Sequence, residues 1–172
     1  GTTLLTKILL NCSNLFVQHS PFPVLEYAST QIYKDMPSSE CKKHSVLASR
    51  FDLFFESFMR NRVYVETNNR ITFYADALSE LLPNSFFIHL IRHPAAFVKS
   101  GMNRDYYLKD NIQYQRIFGI MERDLTENER IRLIVKEWQT INSFIENFKR
   151  TISNSRIITV KSEDLFHKPK ET

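Results

Sequence analysis

Glycine, cysteine and long apolar runs are all scarce in this 172-residue sequence. Three glycines against fourteen Phe and seven Tyr leave no flexible low-complexity segment and predict a core rich in aromatic rings. Two cysteines, Cys12 and Cys41, are too few for a disulfide framework, and their spacing fits no metal motif, so both read as reduced thiols. No apolar stretch approaches the roughly 18 residues that a membrane-spanning helix requires, and no signal peptide is visible. A surplus of one charge sign is also missing. The net charge of +4 suits an anionic ligand but is too small and too dispersed to argue for nucleic acid.

What is present reads as one domain, residues 1–172, long enough to bury a core. It opens on Gly1-Thr2-Thr3-Leu4-Leu5, which looks like the end of a phosphate-binding loop entering a helix. The first N–H groups of such a helix have no internal partners and carry partial positive charge, which suits a phosphate. With no initiator Met and no strand ahead of the loop, the sequence reads as a fragment truncated at both ends.

Helical spacing is expected over 2–11, 24–36, 45–60 and 70–82. The stripe Val46, Leu47, Phe51, Phe54, Phe55, Phe58 is expected to face the core. Val63-Tyr64-Val65-Glu66 is a short β-type run, and Thr67-Asn68-Asn69 follows as a cap for the helix at 70–82. Phe86–Ile91 is apolar nearly throughout, as in a strand buried on both faces of a parallel sheet. Residues 102–125 lack a clear period and read as an excursion over a functional face, with Tyr106, Tyr107, Tyr114 and Phe118 as candidate walls of an acceptor cleft. Thr126-Glu127-Asn128-Glu129 has the capping-box pattern and opens a helix to about residue 150. Ile157-Ile158-Thr159-Val160 is a third strand. His19 falls on a stiff connection beside Pro21 and Pro23.

Strand–helix alternation of this kind means an α/β fold with a mostly parallel sheet, and ligands of such sheets bind at the carboxyl ends of the strands. The polar clusters Glu66–Asn69, Arg92–Ser100 and Lys161–Asp164 each follow a strand, and Gly1–Thr3 would follow the strand expected ahead of it. Arg92, at the mouth of a helix, and Ser100, two turns on, can present a guanidinium and a hydroxyl to one phosphate. Arg104 adds charge one turn later.

The sequence resembles the PAPS-dependent sulfotransferases, closest to the bacterial-type and the tyrosylprotein- and glycan-sulfotransferase-like members. Gly1-Thr2-Thr3-Leu4-Leu5 matches the second half of their 5′-phosphosulfate loop. Phe87-Ile88-His89-Leu90-Ile91-Arg92-His93-Pro94, through Ser100, matches their 3′-phosphate motif. Val160-Lys161-Ser162-Glu163-Asp164-Leu165 is similar to an element near the end of their core.

The resemblance implies a P-loop nucleoside-triphosphate-hydrolase-like three-layer fold whose first strand lies outside this fragment. It implies transfer of the sulfuryl group from PAPS to a hydroxyl or amine acceptor on a small molecule, glycan, lipid or peptide, with PAP as the leaving product and no metal. Gly1, Thr2, Thr3 and Leu4 would hold the 5′ end of the donor. Arg92, Ser100, Arg104 and Ser162 would hold the rest. The general base would be His19, whose imidazole suits proton removal near neutral pH, or Glu66. The setting would be cytoplasmic for a bacterial-type member, or the Golgi lumen if an anchor lies upstream.

The sequence departs from the family pattern at three places. Glu66-Thr67-Asn68 stands where a Lys-bearing Asp-Lys-Thr element is frequent, Ser162 replaces Tyr, and the C-terminal closing loop is absent. Two other readings stay open: a non-catalytic sulfotransferase-like domain that binds PAP or another nucleotide, and a P-loop small-molecule kinase. The kinase loop, however, ends in Gly-Lys-Ser/Thr, and no Lys follows Gly1 here.

Overall fold

Short apolar runs alternate with helix-length segments, and the computed structural model, which describes residues 1–109, 116–119 and 121–167, folds them as a mixed α/β chain. Helix α1 (Thr2–Leu9) leads to β1 (Leu15–His19), α2 (Glu26–Asp35), α3 (Ser39–Met59) and β2 (Val63–Thr67). A 3₁₀ turn over Asn69–Tyr74 runs directly into α4 (Ala75–Leu81). Then come β3 (Phe87–Ile91), α5 (Pro94–Met102), α6 (Glu127–Lys149), β4 (Ile157–Lys161) and α7 (Ser162–His167).

The strands form two parallel pairs. β1 lies beside β2 in the register Leu15↔Val63 to His19↔Thr67, and β3 lies beside β4 in the register Phe87↔Ile157 to Ile91↔Lys161. Parallel neighbours need a long crossover, which α2 and α3 supply in the first pair and α5 and α6 in the second. One core cluster joins Ile32, Val46, Phe73, Tyr74 and Ile117, with Phe54, Ile141 and Phe144 packed against it. A second joins Tyr106, Tyr107 and Ile134.

Helix α6 begins as its sequence dictates. Thr126 Oγ1 accepts from the Glu129 N–H at 3.3 Å, and Glu129 Oε2 accepts from the Thr126 N–H at 2.8 Å, completing the capping box.

Four expectations are corrected. Leu15–His19 is a strand, so His19 ends β1 rather than sitting on a connection. The segment after β2 starts as a 3₁₀ turn, capped by Asn68 Oδ1 accepting from the Arg70 N–H at 2.8 Å, before it becomes helical. β3 is not covered on both faces: Ile88 and its register partner Ile158 are exposed.

The aromatic stripe of α3 faces the core only at Val46 and Phe54. Phe51, Phe55 and Phe58 are 64%, 55% and 78% exposed, whereas Lys42, Val46, Arg50 and Ser57 are buried. Buried ion pairs account for this orientation. Lys42 Nζ meets Asp76 at 2.7 Å, and Arg50 grips Glu66 with two bonds, Nε to Oε2 at 2.8 Å and Nη2 to Oε1 at 3.0 Å. Those contacts turn the helix so that its charged row faces in. Tyr114 lies outside the described residues.

The Arg50–Glu66 pair joins α3 to β2 and to the loop before α2. Arg50 Nη1 also donates to the Pro23 carbonyl at 2.9 Å. Tyr64 and Asn68 donate to Glu66 at 2.7 and 2.8 Å. Burial, and then the adjacent Glu66 carboxylate, push the Tyr64 phenol well above its usual range. Removing one partner of a buried pair leaves the other charge uncompensated. Glu66→Ala is therefore expected to lower unfolding free energy by about 3–5 kcal/mol, measured by urea denaturation. A loss below about 1 kcal/mol, the level of an exposed pair, would show that the pair is not an organising contact.

Candidate functional site

Helix α1 begins on a residue that has no side chain to cap it. Gly1 is the N-cap, and the first intrahelical bond is Leu5 N–H to the Gly1 carbonyl at 2.9 Å, so the N–H groups of Thr2, Thr3 and Leu4 have no partner within the helix. A Cβ on Gly1 would come within 2.8 Å of Leu90 Cδ2 and 3.1 Å of Ser162 Cβ. The absence of a side chain is what lets the start of α1 press against the end of β3 and the β4–α7 junction.

The chain leaves β3 through Arg92 and enters α5 with Pro94 at its first position, where the missing N–H costs nothing. Two contacts fix this corner. Trp138 Nε1 of α6 donates to the Arg92 carbonyl at 2.9 Å, and Glu163 Oε1 accepts from the His93 N–H at 3.0 Å. Burial tends to raise the Glu163 carboxyl pKa, but the His93 N–H, with other hydrogen bonds and the Arg92 charge, outweighs it and holds the carboxyl below its usual range.

An inner cleft of ≈ 150 Å³ is lined by Gly1, Thr2, Arg92, Ser100, Arg104 and Ser162, together with Asn69, Tyr106 and Arg116. An outer basin of ≈ 520 Å³ shares Arg92, Ser100 and Arg104 and adds Lys99 and Asn103. All four polar clusters singled out in the sequence therefore contribute to one concavity at the carboxyl ends of β3 and β4, through Gly1 and Thr2, Asn69, Arg92 and Ser100, and Ser162. Thr3 and Leu4 sit on the first turn of α1 but do not line the cleft.

Neither candidate base lines it either. Glu66 is spent on Arg50, Tyr64 and Asn68, and its side chain is 6% exposed. His19 is exposed at the end of β1. The register places it opposite Thr67, and its Nδ1 lies 3.0 Å from the Thr67 carbonyl and 3.2 Å from Thr6 Oγ1. A carbonyl only accepts, so this contact needs a proton on Nδ1, and in the neutral ring that leaves Nε2 as the acceptor. Thr6 Oγ1 in turn donates to the Thr2 carbonyl at 2.8 Å, tying the imidazole to the first turn of α1.

Several cleft residues escape a sequence reading. Lys99 and Asn103 share the helical face of Arg92, Ala96, Ser100 and Arg104, a period that was legible. Arg116 and Tyr106 belong to the aperiodic stretch after α5. The signal there was Glu137, a lone carboxylate on the inward face of α6 between Ile134 and Ile141, because a charge on such a face needs a partner. Tyr107 is 4% exposed and Phe118 stacks on it at 5.9 Å, so these two rings are core and not an open acceptor wall, while Tyr106, 6% exposed, lines the inner cleft. Asp105 and Tyr107 both have positive φ, 53° and 61°, which costs about 1–3 kcal/mol at a non-glycine residue. That strained turn holds Tyr106 at the cleft.

Among the described residues no helix is long and apolar enough to cross a membrane, and no group of three or more His, Cys, Asp or Glu side chains is placed to hold a metal ion. Comparison with curated proteins and with solved structures found no match. A family model described as "Sulfotransferase family" matches residues 1–172, the whole chain. The chain belongs to the sulfotransferase family.

Proposed function

We propose that this single domain, residues 1–172, transfers a sulfuryl group from PAPS to a hydroxyl or amine acceptor and releases PAP. The observation that carries the reading is the convergence of the open N-terminus of α1 with Arg92, Ser100 and Arg104 on one cleft. The cleft fits a polyanionic nucleotide on chemical grounds. It offers the open first turn of α1, two arginines at its mouth and a hydroxyl, and Gly1 lets that first turn pack close to Leu90 and Ser162. The fold we infer is the P-loop-related three-layer arrangement. The two strand pairs would be halves of one parallel sheet, joined by a strand leading into Gly1.

The donor, when bound, supplies an activated sulfuryl group on a phosphate leaving group. The chain's own residues do the rest. The N–H groups of Thr2, Thr3 and Leu4 and the Thr2 and Thr3 hydroxyls would be turned to the 5′ end, where negative charge builds on the leaving oxygen and a fixed helix start stabilises it. Arg92 and Ser100 take the 3′-phosphate, with Arg104 beside them, and so separate this donor from nucleotides lacking that group. Buried Ser162 backs Gly1 at the same end of the cleft. His19, with its Nε2 lone pair exposed and its ring held by Thr67 and Thr6, accepts the acceptor's proton. Glu66 is left to its structural pair. Acceptors within this reading are small molecules, glycans, lipids or peptides carrying a hydroxyl.

An Arg92→Ala, Ser100→Ala double variant is expected to bind PAP at least about a hundredfold more weakly than the parent, two charge-assisted contacts being lost, while its denaturation midpoint stays close. Calorimetric titration checks this, and parent-like affinity in the double variant would overturn the donor assignment. His19→Ala should bind PAP like the parent yet release PAP from PAPS about 10²–10⁴-fold more slowly in an acceptor screen. Unchanged release would remove His19 from the base role.

A further inference from the structure

Arg116 reaches the cleft from the stretch after α5, outside every motif considered so far. It is 3% exposed, and α6 holds it in place: its Nη2 pairs with Glu137 Oε1, and Glu137 itself is fully buried. The second Glu137 oxygen accepts from the Tyr107 hydroxyl at 2.7 Å, and the Tyr106 ring lies 4.3 Å from the guanidinium carbon. Burial alone would lower the guanidinium pKa, but Glu137 and the two tyrosine oxygens outweigh it, so Arg116 stays charged.

One donor of this well-held group is unspent. Among the described residues Arg116 Nε has no hydrogen-bond partner, and it is out of reach of solvent. A buried polar atom left unpaired costs about 1–3 kcal/mol, and such an atom needs an explanation. A purely structural pair with Glu137 explains the Nη2 contact but not an orphaned Nε–H on a residue that also lines the cleft of Gly1, Thr2, Arg92 and Ser100.

We propose that Arg116 is a further donor-binding residue: a small shift of its guanidinium in the bound state brings the unspent Nε–H, buried beside the cleft here, to an anionic phosphoryl oxygen of the nucleotide. Glu137 and Tyr107 are positioning residues that hold the guanidinium over the Tyr106 ring. The assignment rests on the donor reading given above, and it places an arginine on the wall of the cleft supplied by the segment between α5 and α6.

The test is calorimetric titration of PAP and of 5′-AMP into the parent chain, Arg116→Lys and Glu137→Gln. Lysine keeps the charge and can pair with Glu137, but it has no planar fork to serve a second anion. Arg116→Lys is expected to bind PAP about ten- to hundredfold more weakly, with Glu137→Gln within about threefold of the parent, as fits a retained charge-assisted donor. Weakening for PAP but not for 5′-AMP assigns Arg116 to the 3′-phosphate, and weakening for both assigns it to the 5′ end. Parent-like PAP affinity in a folded Arg116→Lys overturns the proposal, as do equal losses in both variants, the outcome for a structural pair. Failure of the parent to bind PAP would instead overturn the donor reading. If Arg116→Lys does not fold, the ¹⁵N-arginine spectrum of the parent decides. The Arg116 Nε–H signal, identified by its displacement in Glu137→Gln, must shift when PAP is added, and an unmoved signal overturns the proposal.

Discussion

The contact on which the site depends is the seating of Gly1 against Leu90 and Ser162. It brings the partial positive charge at the start of α1 to the carboxyl ends of β3 and β4, where Arg92 leaves the strand and α5 begins. A Cβ at residue 1 would require the Leu90 side chain and Ser162 to give way if the start of α1 is to keep its place beside Arg92 and Ser100. The helix start, the arginine and the serine come from segments about ninety residues apart. The close approach of a residue without a Cβ contributes to making them neighbours.

Buried charge governs much of the remaining architecture. Arg50–Glu66 locks α3 to β2, and Arg116–Glu137 locks the segment after α5 to α6. In each pair the second carboxylate oxygen or the remaining guanidinium donors are used again: Tyr64 and Asn68 bind Glu66, Pro23 receives Arg50, and Tyr107 binds Glu137. Desolvating two charges is tolerable only when such further bonds are made. The exception is Arg116 Nε, and the exception lies at the cleft.

Local signals were the legible part of the sequence. The capping box at Thr126–Glu129, the apolar runs at 63–67, 87–91 and 157–161, and the proline opening α5 are short-range patterns whose outcome hardly depends on partners. Leu15–His19 was missed because three apolar residues followed by Gln and His show neither period. Its strand character comes from pairing with β2. The face of α3 was misread because hydrophobicity votes for Phe51, Phe55 and Phe58, while Lys42 and Arg50 are drawn inward by carboxylates many residues away. The motif residues Gly1, Thr2, Arg92, Ser100, Arg104 and Ser162 meet at the cleft, but nothing local announced Arg116, whose place depends on Glu137 of a later helix.

The central claim is that this cleft is the donor site, with the 5′ end of the nucleotide on the start of α1 and the 3′-phosphate on Arg92 and Ser100. A crystal structure of the protein grown with PAP tests it most directly. The account predicts the 5′-phosphate within hydrogen-bond distance of the Thr2 and Thr3 N–H groups and the 3′-phosphate on the Arg92 guanidinium and the Ser100 hydroxyl. PAP bound elsewhere, or in the cleft with its ends reversed, would contradict it.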